Sequence, residues 1–193
     1  MGLNREKLLK VHVGCGKNYL DGWVNTDISG KYDAYWDLMG DAAPFEKGEV
    51  DAFFMEHVLE HFTLEDGIKI LIKMSSYLKK GGVLRVVVPS LESLIDGYLN
   101  DTDFLVTNNS LFPNKKLAFK AQLVNQTFYG FGHKNMFDKQ LMRFALRSAK
   151  FNVDNEFFFE NDEIGNTVFS GVGRRIYKST SSVKNISVEV VKS

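Results

Sequence analysis

The sequence predicts an α/β fold built on a mostly parallel sheet. Strand-like segments alternate with helical ones, a glycine turn ends the first strand, and two strands close the chain with no helix between them. In order, Leu9-Lys10-Val11-His12-Val13 alternates apolar and polar residues and stops at Gly14-Cys15-Gly16, as a strand feeding a turn does. Short strands are expected at 23–27, 33–38 and 50–55. The clearest helix follows, with Leu64, Ile68, Leu71, Ile72 and Leu78 on one face. Thr63 is its N-cap, Asp66 stands three residues on, and Gly81-Gly82 forms its end. Residues 83–88 are nearly all apolar, as a strand buried on both faces requires. Pro89-Ser90 then opens a helix through Leu94, Ile95 and Tyr98. A further helix is expected over about 115–128, and Asp138 caps one carrying Leu141, Met142, Ala145 and Leu146. Strands at 151–160 and 186–190 finish the chain.

The 193 residues, 44% of them apolar and 13% aromatic, suit one domain over 1–193 with a continuous core. No run approaches the roughly 18 apolar residues of a membrane span, and the first ten residues lack a signal-peptide apolar stretch. A single cysteine, Cys15, excludes an internal disulfide, so a cytoplasmic location is expected. The sequons at Asn108, Asn125 and Asn185 are therefore read as chance matches. The formal charge is zero but uneven. Residues 21–66 are acidic, opposed only by Lys31 and Lys47, whereas 115–150 are basic apart from Asp138. A pI near 6.9 lacks the footprint of a nucleic-acid-binding domain.

In an open parallel sheet, ligands bind beyond the carboxyl ends of the strands where the strand order reverses. Gly14-Cys15-Gly16 lets the backbone pass close to a ligand there. Asp27 ends the second strand, where its carboxylate can accept ribose hydroxyls. Asp37-Leu38 ends the third, beside an exocyclic amine and an apolar ring. Together they describe an adenosine site. A dinucleotide fingerprint would need a third glycine where Tyr19 stands, and an acid about 20 residues past the motif. Asp27 follows Gly16 by only 11 positions. No Gly-Lys-Ser/Thr phosphate loop follows the turn either.

The phrases Val11-His12-Val13-Gly14-Cys15-Gly16, Gly22-Trp23-Val24-Asn25-Thr26-Asp27, Asp37-Leu38, Ala43-Pro44-Phe45, Val50-Asp51 and Glu56-His57-Val58-Leu59-Glu60-His61 occur in order, ahead of Gly81-Gly82-Val83-Leu84 and Pro89. In this order they resemble the class I S-adenosylmethionine-dependent methyltransferases of the type 11, or predicted-methyltransferase, family. The resemblance implies a Rossmann-like, seven-stranded, mostly parallel sheet with an antiparallel last strand and helices on both faces. It implies S-adenosylmethionine as cofactor, with Gly14, Cys15 and Gly16 at its methionine part, Asp27 on the ribose, Asp37 or Leu38 at adenine, and Glu56 and His57 beside the sulfonium. The stretch from Gly16 to Trp23 is too short for the family's full first helix.

His57-Val58-Leu59-Glu60-His61 also fits an inverted zinc-hydrolase signature, with Glu92 as a conceivable third ligand. Under the methyltransferase reading no metal is assigned. Of the four histidines, His12 lies inside a strand and reads as structural. His133, in an aromatic and glycine-rich loop, is the first candidate for general base, and His57 the second. Residues 91–135 are expected to cover the acceptor, with Tyr98, Phe112, Phe128, Tyr129 and Phe131 as walls. The basic stretch at 115–150 suggests an anionic acceptor, a small molecule or saccharide methylated on oxygen. A cofactor-binding module without catalysis is the third reading.

Overall fold

At the centre of the molecule the apolar runs of the sequence become strands buried on both sides. The computed structural model describes residues 8–40, 42–108, 117–160 (backbone only for 154–160), 166–170, 172 and 183–193. Seven strands, β1 (Lys10–Val13), β2 (Val24–Asp27), β3 (Ala34–Tyr35), β4 (Val50–Glu56), β5 (Leu78–Pro89), β6 (Asn152–Glu160) and β7 (Asn185–Val191), form one sheet. Their order is β3-β2-β1-β4-β5-β7-β6. The pairs from β3 to β5 are parallel, and β7 runs antiparallel to both β5 and β6. The expected α/β class and strand arrangement are therefore present. Strand β1 has β2 on one side and β4 on the other, so the crevice of the sheet opens beyond their carboxyl ends.

Side chains alternate across the strands. Val11, Val13, Phe53, Met55, Leu84, Val86, Val88, Ile186, Val188 and Val190 face one layer, where α1 (Leu64–Tyr77) and α5 (Lys139–Ser148) pack. Helix α1 starts where expected, with Thr63 Oγ1 accepting from Asp66 N at 3.2 Å. Its buried face is Gly67, Ile70, Leu71, Met74 and Tyr77, spaced at three and four residues. Ile72, placed on that face from the sequence, is instead 46% exposed. The helix also ends before Gly81-Gly82: Leu78 is already extended, and β5 begins there. The third strand is shorter than expected: only residues 34–35 pair, and after Trp36, whose N–H donates to Asp27 O at 3.1 Å, Asp37 turns the chain by accepting from Met39 N at 2.9 Å.

The second face of the sheet is covered by a short 3-10 turn, Thr167–Phe169, together with loop residues. That face carries Ala52, Phe54 and Val87, covered by Leu20 and Trp23 from the β1–β2 connection and by Val168, Phe169 and Val172. Buried polar groups share that face. Arg85 Nη1 donates to Glu189 Oε1 at 3.2 Å, and His12 meets Asn25 Oδ1 at 3.2 Å. His12 is structural, as expected.

Helices α2 (Leu91–Asn100), α3 (Phe104–Asn108) and α4 (Lys120–Asn125) build a third cluster around Leu94, Phe104, Leu123 and Met136. The helix expected over 115–128 begins at Lys120 and passes into a π-turn at Gln126–Gly130. No helix among the described residues is long and apolar enough to cross a membrane.

Candidate functional site

The glycine turn lies at the reversal point of the sheet. Gly14 and Gly16 have φ of 63° and 53°, backbone that side-chain-bearing residues rarely adopt. Their needs differ. A Cβ on Gly14 would stand 2.4 Å from Val58 Cγ2, so Gly14 is required for close passage of the segment after β4. A Cβ on Gly16 would meet nothing within 4 Å, leaving its backbone open to a ligand. Cys15 is fully buried, with its N–H donating to Thr26 O at 3.0 Å and its thiol directed at Lys31 O at 3.5 Å. Burial, followed by the nearby Asp27 carboxylate, pushes that thiol above its ordinary value. No helix begins within residues 14–23, so no helix dipole is directed at the turn.

Asp27 closes the turn from β2. Its Oδ2 accepts from Gly16 N at 2.8 Å, while Oδ1 accepts from Ile28 N at 2.7 Å and Ser29 N at 3.2 Å. Three of roughly four acceptor sites on the carboxylate are thereby used, leaving room for one further donor. Beside it an open cleft of ≈ 470 Å³ is lined by Gly16, Lys17, Tyr19, Ser29, Gly30 and Lys31. That volume lies within the ~300–1,000 Å³ usual for small-molecule sites. Tyr19 Oη donates to Asp33 Oδ1, and Lys31 Nζ sits 4.2 Å from the Tyr19 ring centre. Asp37 turns its own segment by accepting from Met39 N at 2.9 Å, whereas Leu38 is buried in the main core. Lys73 of α1 pins that segment through Leu38 O at 2.8 Å and Gly40 O. Sequence reasoning missed Lys73, because a helix surface lysine carries no local mark of a partner 35 residues away.

The second half of the site gathers around Glu60. Strand β4 ends in buried Glu56, and His57 follows with φ of 54°, a strained conformation for a residue with a side chain. His57 N donates to Val87 O at 2.9 Å, and its ring Nε2 lies 3.5 Å from Asn185 Nδ2 at the start of β7. Its Nδ1 lies 3.1 Å from Glu60 Oε1, and Glu60 is 0% exposed. A short 3-10 turn, Leu59–His61, carries Glu60 and His61. From more than seventy residues further along, Lys134 N and Asn135 N donate to the backbone Glu60 O at 2.8 and 3.2 Å, which brings a His133 ring nitrogen within 4.8 Å of the Glu60 carboxylate. The His133 and His61 rings are 5.1 Å apart. Burial pushes His133 below its ordinary value, against the opposite pull of Glu60. Val58, which lies between His57 and Glu60 in the chain, connects the two halves by placing its Cγ2 2.4 Å from where a Cβ on Gly14 would stand.

Both histidines singled out from sequence therefore reach one buried carboxylate. The zinc-hydrolase arrangement is not formed as written. His57 precedes the 3-10 turn rather than sharing a helix with His61, and the side chains whose ligand atoms lie mutually within 4.8 Å are Glu60, His61 and His133. Glu92 is exposed in the first turn of α2, outside that group. Among the expected walls, Phe131 stands 5.6 Å from the His133 ring, Tyr98 packs on Phe104, and Phe128 is partly buried. Tyr129 is 76% exposed. Phe112, Lys115 and Lys116 lie outside the described residues. Lys120 is engaged with Tyr98 O and Asp101 O, tying α4 to α2.

Residues 11–86 match the family model of a methyltransferase domain. No curated protein matches the chain. Solved structures resemble it in fold. One is a methyltransferase of Haloferax volcanii in complex with the Trm112 methyltransferase activator, 14% identical over 97% of this chain and 83% of that one, with a TM-score of 0.55. A SAM-dependent methyltransferase from Thermotoga maritima is 14% identical over 96% and 82%, also at 0.55. Geranyl diphosphate C-methyltransferase from Streptomyces coelicolor A3(2), solved with Mg2+, geranyl diphosphate and S-adenosyl-L-homocysteine, is 11% identical over 96% and 72%, at 0.55.

Proposed function

We propose that the chain is a class I S-adenosylmethionine-dependent methyltransferase that methylates a hydroxyl oxygen of a small-molecule or saccharide acceptor, a reading supported by the methyltransferase-domain match over residues 11–86 and by the shared fold. The observation that carries this reading is the His57–Glu60 pair, 3.1 Å apart and joined to the glycine turn through Val58.

When bound, S-adenosylmethionine supplies an electrophilic methyl group on a sulfonium sulfur. The fit rests on Gly16, whose open backbone faces the cleft, and on Asp27, which keeps capacity for one more donor. An alcohol is a poor nucleophile until its proton is taken, so O-methylation calls for a base at the sulfonium end. His57 fills that role: its Nδ1 is held by the buried Glu60 carboxylate, which orients the ring and stabilises the imidazolium formed on proton uptake. In this reading residues 91–108 and 117–135 cover the acceptor, and His133 beside Phe131 orients it. A negative group on the acceptor would be met by Lys134, since Lys120 is already engaged with backbone carbonyls.

The test is turnover with a panel of hydroxylated acceptors, including nucleotide-linked sugars. His57→Ala is expected to lower kcat by about 10²- to 10⁴-fold, the range for a positioned base, while S-adenosylhomocysteine still binds. A His57→Ala enzyme with unchanged kcat overturns the assignment of the base. Methylation of nitrogen or carbon acceptors alone overturns the reading of the acceptor.

A further inference from the structure

We infer that Glu60, His61 and His133 form a binding site for a divalent transition-metal ion, placed to hold an acceptor oxygen; this rests on the methyltransferase reading for its role but not for its existence. Each residue offers one ligand atom, and the three atoms lie within 4.8 Å of one another. The set is two imidazoles and one carboxylate on one side, which leaves the other coordination positions open to an outside ligand.

Proximity alone would be weak, because buried acids often neighbour histidines for packing. Two buried polar atoms argue for more. Glu60 Oε2 and His133 Nδ1 have no hydrogen-bond partner among the described residues. Asn135, whose backbone N–H is bonded to Glu60 O, adds a third such atom, Nδ2. Buried polar atoms are nearly always satisfied, and an unsatisfied carboxylate oxygen grouped with an unsatisfied imidazole nitrogen marks a place built for a ligand. The carboxylate is also oriented as a metal ligand would be. Its Oε1 is occupied by His57, leaving Oε2 as the coordinating atom, in the manner of outer-shell partners of metal sites. Metal–nitrogen and metal–oxygen distances of ~2.0–2.2 Å would draw the three groups together by about an ångström. The exposed loop that carries His133 can supply that movement: Phe131 and Gly132 on its near side are both exposed.

Imidazole ligands select ions such as Zn²⁺, Co²⁺ or Ni²⁺ over Mg²⁺. An ion here would lower the pKa of a coordinated hydroxyl and fix its oxygen. The oxygen–methyl bond then forms as the sulfonium–methyl bond breaks, the hydroxyl proton passes to His57, and S-adenosylhomocysteine leaves as the neutral thioether.

The experiment uses full-length protein prepared without a histidine tag and stripped with EDTA. Co²⁺ is titrated by its visible absorption, and Zn²⁺ by competition. About one ion per chain is expected, with Glu60→Gln and His133→Ala each weakening binding at least ~10-fold. Thermal stabilisation of the variants by S-adenosylhomocysteine, to the extent seen for the unaltered protein, shows that they are folded. Failure of Co²⁺ and Zn²⁺ to bind, or wild-type affinity in both variants, overturns the site. Binding of Mg²⁺ alone overturns its chemical class. Stoichiometric metal in a protein that methylates only non-hydroxyl acceptors leaves the site standing and removes the O-methylation reading.

Discussion

Asp27 and Gly16 are joined by a 2.8 Å hydrogen bond from the glycine N–H to the carboxylate, which ties the end of β2 to the turn after β1. The same carboxylate that is expected to hold a ribose also shapes the turn. Asp27→Ala is expected to cost roughly 1.5–3 kcal/mol of cofactor affinity, the scale of hydrogen bonds to a charged group. That is a rise of about 10- to 150-fold in the Kd for S-adenosylhomocysteine, measurable by titration calorimetry. An unchanged Kd would remove Asp27 from the cofactor site.

The second prediction concerns Gly14. Alanine there must adopt φ near 63° and place its Cβ 2.4 Å from Val58 Cγ2. Gly14→Ala should lower stability by about 1–3 kcal/mol in urea unfolding, through overpacking and backbone strain. Adding Val58→Ala to it should recover part of the loss. Strictly additive losses in the double variant would show that the two residues do not compete for space.

Arg85 and Glu189 sit opposite each other in the β5–β7 register, 0% and 5% exposed, with 3.2 Å between Nη1 and Oε1. Removing one partner takes this buried pairing away from the other charge. Glu189→Ala is expected to cost about 3–5 kcal/mol, whereas replacing both with apolar residues of similar volume should cost far less. Equal losses in the single and double variants would count against the charge left behind as the cause.

A fourth prediction is a dependence on pH. The Tyr19 hydroxyl, then the backbone N–H and the side chain of Asn25, hold the Asp33 carboxyl below its ordinary 3.8. Its folded value lies under its unfolded one, so this contribution is present above about pH 4 and is lost as pH falls through the folded value. Asp33→Asn should flatten that part of the acid limb of a stability–pH curve. An acid limb of the same steepness in the variant would assign the effect to other carboxylates.

Most of the fold was legible in the residues. Capping by Thr63 and Asp138, the glycine turn, and the β-branched run of β5 are local signals, and each stands where it was read. Errors fell where a distant partner overrides local pattern. Ile72 has the right spacing for a core helix face, but α1 turns Ile70 and Met74 inward instead. The β3 strand stops at Tyr35, two residues before Asp37 turns the chain by bonding Met39 N. In the site, the glycines and Asp27 were legible because turn and strand end are neighbours in the chain pattern. Neither the use of Gly14 against Val58 nor the engagement of Lys73 has any sequence mark.

By itself the sequence determined the order and kind of the elements, the crevice end of the sheet and the residues available there. Periodicity, capping and glycine conformation act over a few residues, and so they can be read one segment at a time. Only the tertiary structure decided which histidines meet Glu60. His57 shares its turn, but His133 arrives through Lys134 and Asn135 bonding to the Glu60 carbonyl, across more than seventy residues of chain. That meeting depends on the strand order, which puts the end of β4 beside β5 and the start of β7, and no local pattern encodes it.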